Sequence, residues 1–279
     1  MLATKRRLDR NDRAEGDDAP AEKASDSRWS RLAHLRVRWK ALHKGVLAFF
    51  FPPVCVACMR ATQDVNALCP ACWGQMRWIE RPYCECLGTP FALDTGERLL
   101  SPAALANPPA YSRARAAVQY EGVARQLVHR LKYHDRMDLV PAMARMMSGA
   151  GRDLLAEADL MIPVPLHAGR LRRRRFNQSA ALTAALSRLS GVGWDALAMR
   201  RTRHTPTQAG LSRRKRAANL RGAFAVPDSR RAGIAGKRVL LVDDVLTTGA
   251  TAEACARALL RAGAQRVDVL VFALVPAGR

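Results

Sequence analysis

Two adjacent aspartates, Asp243 and Asp244, follow four branched apolar residues and precede a loop of small hydroxylated ones: VLLVDDVLTTGAT, residues 239–251. The apolar run reads as a buried strand, and a buried strand that ends in two charges needs partners for them. Arginine ion pairs are one kind of partner; a ligand is the other. The loop Val245–Gly249 leads into a helix near Ala250. A helix N-terminus presents unpaired N–H groups and a partial positive charge, a natural seat for phosphate. Thr247, Thr248 and Thr251 add hydroxyl donors, and Gly249 permits close approach of the backbone. Two carboxylates repel a phosphate, so they must face something else, and sugar hydroxyls can donate to them. The chemistry this pattern suits is a sugar phosphate, with hydroxyls on the acids and phosphate on the threonine loop. Neither a P-loop nor a dinucleotide-binding glycine pattern is present.

A second cluster has different chemistry. Six of the seven cysteines fall between Cys55 and Cys86. In a reducing cytoplasm such a cluster reads as a metal site before it reads as disulfides. Cys55-x2-Cys58 and Cys69-x2-Cys72 are two metal-binding knuckles, and together they complete a tetrahedral thiolate shell for zinc. Four protein ligands leave no open position, so this zinc is structural. Cys84 and Cys86 have C-x-C spacing, which is not the usual knuckle. They are either free thiols or part of a second site to which His129 and His134 lend a nitrogen. Cys255, alone in the last helix, reads as core.

These groups must be positioned by regular elements. Strand patterns at 114–120, 160–165, 238–244 and 267–275 alternate with helical patterns at 123–133, 139–147, 177–189 and 250–262. Such alternation predicts an α/β domain with a mainly parallel sheet and flanking helices. Residues 200–222 are polar and basic and read as a long loop. The domain order expected is a disordered polar tail over 1–28, a basic amphipathic helix over 29–50, a small four-cysteine zinc ribbon over 51–88, a linker or irregular cover over 89–110, and the α/β domain over 111–279. The amphipathic helix has three possible partners: a membrane, a nucleic acid or its own protein. No internal repeat is evident.

Residues 239–251 resemble throughout the phosphoribosyl-pyrophosphate-binding signature of type I phosphoribosyltransferases. IPVPLHAGRLRRRRFNQSAAL, residues 162–182, and TPTQAGLSRRKRAANLRGAF, residues 205–224, are similar to hallmarks of one branch, the ComF family, linked with competence and DNA uptake and including GntX-like proteins. A zinc ribbon before the domain is part of that resemblance, which runs from about residue 45 to the end. It implies that Asp243 and Asp244 bind the ribose hydroxyls, directly or through Mg²⁺. It implies that Thr247, Thr248, Gly249, Ala250 and Thr251 cradle the 5′-phosphate, with Arg170 and Arg174 approaching the pyrophosphate. The loop at about 203–222, with Gln208, Arg216 and Asn219, would close over the substrate. Lys132 also occupies a position typical of the family, although a single lysine on a helix usually faces solvent. Two positions depart from the family pattern. Arg175 stands where glycine is usual, and the second C-x2-C-G knuckle is here Cys84-Glu85-Cys86-Leu87-Gly88.

The formal net charge of +22 favours polyanionic partners. Five of the six residues Arg170–Arg175 are cationic, enough to bind nucleic-acid phosphates without reading bases, as is RRKR at 213–216. Few aromatics accompany these runs, so no base-stacking platform is expected beside them. No apolar run approaches the length of a membrane span, and no secretory signal pattern is visible, which makes the cytoplasm the expected location. Two functions from different classes follow from the resemblance. One is a Mg²⁺-dependent phosphoribosyltransferase with an unidentified acceptor. The other is a competence accessory protein that binds single-stranded DNA or a DNA-uptake partner.

Overall fold

The computed structural model describes residues 52–276, apart from 94–95, 97–98, 168, 170, 172–175, 204–219 and 221. The expected tail and basic helix, and Arg170, Arg174, Gln208, Arg216 and Asn219, lie outside the described residues.

Four parallel strands form the central sheet, β1 (Ala114–Gln119), β2 (Leu160–Pro163), β5 (Arg238–Leu246) and β6 (Arg266–Leu274), in the order β1-β6-β5-β2. Val239–Val242 are all buried, which suits a strand covered on both faces and explains why its apolar run is continuous rather than alternating. Side chains on one sheet face alternate with those on the other. Leu240, Val242, Leu270 and Phe272 join one core with α3 (Gly122–Tyr133), α4 (Val140–Ala150) and α6 (Gln178–Ser190). Val239, Leu241, Val269 and Val271 join a second core with α8 (Ala250–Arg261). The short α5 (Arg152–Glu157) leads into β2. Arg200–Arg201 (β3) pairs antiparallel with Phe224–Ala225 (β4), so part of the expected long loop is a small ribbon, followed by α7 (Asp228–Arg231). Asn177 caps α6, its side chain accepting from the Ser179 N–H, and Gly191 closes that helix in the left-handed conformation.

The cysteine-rich segment sits against the free edge of β1. Ile79 N–H donates to the Ala117 carbonyl, Gln119 N–H to that of Arg77, and Ala114 N–H to that of Cys86. An edge strand left bare would be a template for unwanted pairing, and the ribbon covers it. At the far edge the Gly193–Asp195 backbone pairs with Met161 of β2. Two short helices belong to the cysteine-rich part, α1 (Pro70–Gly74) and α2 (Pro102–Ala106). They close two lobes of the same design, residues 53–74 and 82–106. An internal repeat is therefore present where the sequence pattern suggested none, and the stretch 89–110 supplies part of its second copy. No helix among the described residues is long and apolar enough to cross a membrane.

Candidate functional site

The strand that carries the acids does not stop at them. β5 continues to Leu246, with Asp243 opposite Val271 and Val245 opposite Ala273. Its C-terminal end is nonetheless where they lie, beside the loop 247–249 and the start of α8. That is where open parallel α/β sheets hold their ligands.

Each acid has a partner from a different helix. The Ser179 hydroxyl, at the first turn of α6, donates to Asp243 Oδ1 at 2.8 Å, and the Asp244 N–H donates to the same oxygen at 2.9 Å. Lys132 Nζ, in the last turn of α3, lies 2.9 Å from Asp244 Oδ1. Burial, and then the Asp244 charge, push the Asp243 pKa up to about 7, against the pull of Lys132 and of the Ser179 hydrogen bond. Burial works against the Lys132 charge, but the Asp244 and Asp243 carboxylates hold its pKa above the ordinary value. One cation thus serves two enclosed carboxylates. Sugar hydroxyls or a divalent cation fit such a pair, because either satisfies oxygens that a single ammonium leaves with excess negative charge.

Beside the acids, Gly249 takes φ 79° and caps α8, so residues 247–251 turn sharply onto the helix N-terminus. A Cβ at Gly249 would lie 3.3 Å from the Tyr111 hydroxyl, which leaves little room for a side chain. Thr247 is exposed, Thr248 and Thr251 are half-buried and Ala250 is buried. Glu253 in the first turn would oppose an anion, but its carboxylate is paired with Arg257. Asp243, Asp244 and the loop Thr247–Thr251 are therefore gathered at one sheet end.

Lys132 and Ser179 belong to the same constellation. Lys132 does not face solvent, contrary to the reading of a lone helical lysine. Ala124, Val128 and Lys132 follow one another at i, i+4 spacing, and the first two are fully buried, so helical periodicity puts the lysine on the inward face. Ser179 carried no such signal: its role depends on a partner 64 residues away. Another ion network, Arg113, Glu157, Arg266 and Asp268, lies at the opposite, N-terminal ends of β1 and β6 and ties the sheet to α5.

The sulfurs of Cys55, Cys58, Cys69 and Cys72 all lie within 4.8 Å of one another, Cys58 and Cys69 at 3.6 Å. Zinc–sulfur bonds of about 2.3 Å in a tetrahedron require sulfurs about 3.8 Å apart, so the cage matches zinc. Burial raises the Cys55 thiol, but N–H groups of Cys69, Cys58 and Ala57 outweigh it and bring its pKa down to about 6. Burial and the neighbouring sulfurs push Cys72 up, a conflict that a cation among the four removes. Cys255 is buried in the core under β5, as its pattern suggested.

A separate groove of about 710 Å³ runs between the cysteine-rich segment and α4. Trp73, Trp78, Tyr83, Arg81 and Arg145 line it over an apolar floor that includes Ala142. The two tryptophan rings are 4.2 Å apart, and Trp73 is 52% exposed. Aromatic rings thus meet arginines here, whereas the arginines of the two runs beside which no stacking platform was expected lie outside the described residues.

Comparison with known proteins places these parts. The family described as "Double zinc ribbon domain" matches residues 46–104, and "Phosphoribosyl transferase domain" matches residues 186–279. The chain is 35% identical over 221 residues to "DNA utilization protein YhgH" of Escherichia coli, covering 77% of this chain and 88% of the relative. It is 30% identical over 230 residues to "Competence protein F" of Haemophilus influenzae, covering 79% and 96%. It is 25% identical over 166 residues to "Competence protein ComFC" of Bacillus subtilis, covering 58% and 63%. Among solved structures, glutamine phosphoribosylpyrophosphate amidotransferase from B. subtilis, complexed with ADP and GMP, matches at TM-score 0.32 and 21% identity. That match covers 50% of this chain but only 30% of the other.

Proposed function

The chain belongs to the ComF family, a zinc ribbon joined to a phosphoribosyltransferase domain, and from that membership we propose that it binds phosphoribosyl pyrophosphate with Mg²⁺ in the cytoplasm and transfers the phosphoribose to an acceptor. The observation that carries the reading is the convergence of Asp243, Asp244 and the 247–251 loop at the C-terminal end of β5, with Ser179 and Lys132 behind the acids.

In this reading Asp243 and Asp244 accept from the ribose hydroxyls, and the N–H and hydroxyl donors of Thr247–Thr251 hold the 5′-phosphate. Lys132 pairs with Asp244, and Ser179 fixes the rotamer of Asp243. Arg170 and Arg174 neutralise the pyrophosphate, and the loop bearing Gln208, Arg216 and Asn219 closes to exclude water. The bond between ribose C1 and the pyrophosphate oxygen breaks with its electrons leaving on pyrophosphate. C1 gains oxocarbenium character, and a lone pair of the acceptor forms the new bond. Mg²⁺ bound near the acids would supply charge neutralisation for the leaving group. The test is calorimetric titration of phosphoribosyl pyrophosphate with Mg²⁺. Binding to the wild type that disappears in Asp243→Asn/Asp244→Asn is expected; no binding to folded, zinc-loaded wild type sinks the proposal.

The aromatic groove favours a second reading, a competence role in which the protein holds single-stranded DNA. Arginines beside a tilted pair of tryptophans, one of them half-exposed, suit unpaired bases and their phosphates, and the net charge of +22 suits the polymer. Filter binding across a salt series tests it.

A further inference from the structure

The second lobe repeats the first at the level of individual hydrogen bonds. Cys55 N–H donates to the Arg60 carbonyl at 2.7 Å, and Cys84 N–H donates to that of Thr89 at 2.8 Å. Met59 N–H donates to the Cys55 carbonyl at 3.0 Å, and Gly88 N–H to that of Cys84 at 2.8 Å. Val54 pairs with Ala61 as Tyr83 pairs with Pro90. Met59 and Gly88 both take positive φ, 64° and 68°. The short helices also correspond: Cys69-Pro70-Ala71-Cys72 opens α1, and Ser101-Pro102-Ala103-Ala104 opens α2. Trp73 N–H donates to the Cys69 carbonyl, as Leu105 N–H does to that of Ser101.

The superposed connectivity identifies what stands at each ligand position. Cys55, Cys58, Cys69 and Cys72 correspond to Cys84, Leu87, Ser101 and Ala104. Leu87 and Ala104 have no donor atom for a metal. One sulfur and one hydroxyl cannot supply the four-ligand shell of a structural zinc. The residues of the second lobe therefore do not fit the second metal that a double zinc ribbon implies. Cys86, the remaining thiol in the lobe, corresponds to Ala57, which lies between the ligands of the first lobe and is not one of them.

Other bonds hold the lobe together. The fully buried Cys84 Sγ accepts from the Ser101 N–H at 3.2 Å and from the Leu87 N–H at 3.4 Å, so it links the two halves that a metal would link. Arg115, 2% exposed on β1, donates to the Glu85 carbonyl at 2.9 Å and to the Glu85 carboxylate at 2.6 Å, and reaches Asp153 at 3.2 Å. Its guanidinium lies 4.6 Å from the Tyr83 ring centroid.

We infer that this chain carries one zinc, not two, and that its second ribbon lobe is a metal-free copy closed by hydrogen bonds to the Cys84 sulfur and anchored to the sheet by Arg115. The experiment is elemental analysis of the purified full-length protein, with metal per chain as the readout. One zinc per chain is expected in the wild type and in Cys84→Ala, and none in Cys58→Ala/Cys72→Ala. Two zincs in the wild type, or a loss of zinc in Cys84→Ala, overturns the inference. A gain-of-site variant tests the geometry independently. Leu87→Cys/Ser101→Cys/Ala104→Cys restores four thiols on the ribbon frame and is expected to raise the count to two. A count that stays at one in this variant, folded by circular dichroism, overturns the claim that the lobe keeps a ribbon's ligand geometry.

Discussion

Asp243 accepts hydrogen bonds from a serine hydroxyl and a backbone N–H, and is nevertheless harder to ionise than a free aspartate. Burial and the Asp244 charge lift its pKa from 3.8 to about 7. An acid whose pKa is raised on folding binds a proton in the folded state that the unfolded chain has released. Its contribution to stability is full below about pH 4 and is lost as pH rises through about 7. Asp243→Asn removes that loss while leaving an acceptor for Ser179. The stability advantage of the variant should grow between about pH 5 and 7 by roughly 2–3 kcal/mol, at about 1.4 kcal/mol per pH unit, and level off above. Denaturant titrations at a series of pH values measure it, and parallel curves for the two proteins would contradict the shift. Glu157, held down at about 2 by Arg113 and Arg266, titrates below this window and does not obscure it. A variant more stable at about pH 8 yet unable to bind phosphoribosyl pyrophosphate would mark Asp243 as a residue kept for function at the expense of stability.

At the scale of elements, the strand–helix alternation was legible because each sheet strand carries an apolar run and each long helix has a period. β1, β5, β6, α3, α6 and α8 fall within a residue or two of where those patterns put them. The second ribbon lobe was not legible, because ribbons announce themselves by their cysteines and this copy has kept one ligand position of four. A five-residue helix such as α2 has no period to read, and the partnership of Ser179 with Asp243 exists only once the chain has folded. The lobe still leaves one mark in the sequence, Gly88. It has φ +68°, and a Cβ there would stand 2.6 Å from the Ala114 carbonyl oxygen. Ala114 cannot retreat, because it starts β1 and is in register with Val269. Gly88→Ala combines left-handed strain with a backbone clash and should destabilise by about 2–4 kcal/mol. Gly74→Ala, with nothing within 4 Å of the added carbon, should stay within about 0.5 kcal/mol. Urea midpoints compare the two, and equal midpoints would mean the lobe is not seated on β1 as described.

Pro53–Arg279 form one compact unit, because the zinc ribbon shares its core with the larger domain. Cys55, Val56, Cys69, Cys72 and Met76 belong to the same apolar cluster as Leu127, Leu131, Met143 and Phe272. The seam between ribbon and α4 is therefore continuous with the core, and the tryptophan groove lies in that seam. An aromatic groove in a chain of net charge +22 predicts two separable components of binding to a single DNA strand. Phosphate contacts respond to salt, with a slope of about −0.7 in log–log units per phosphate neutralised, whereas stacking does not. Trp73→Ala, at a half-exposed ring whose loss leaves the core intact, should weaken binding of a short unpaired oligonucleotide about tenfold at every salt concentration and leave the slope unchanged. Arg145→Ala should instead flatten the slope by about one phosphate. Filter binding from low to physiological salt reads both. No retention of the strand at low salt would exclude DNA binding by the protein on its own. Full affinity in Trp73→Ala would take the strand out of this groove.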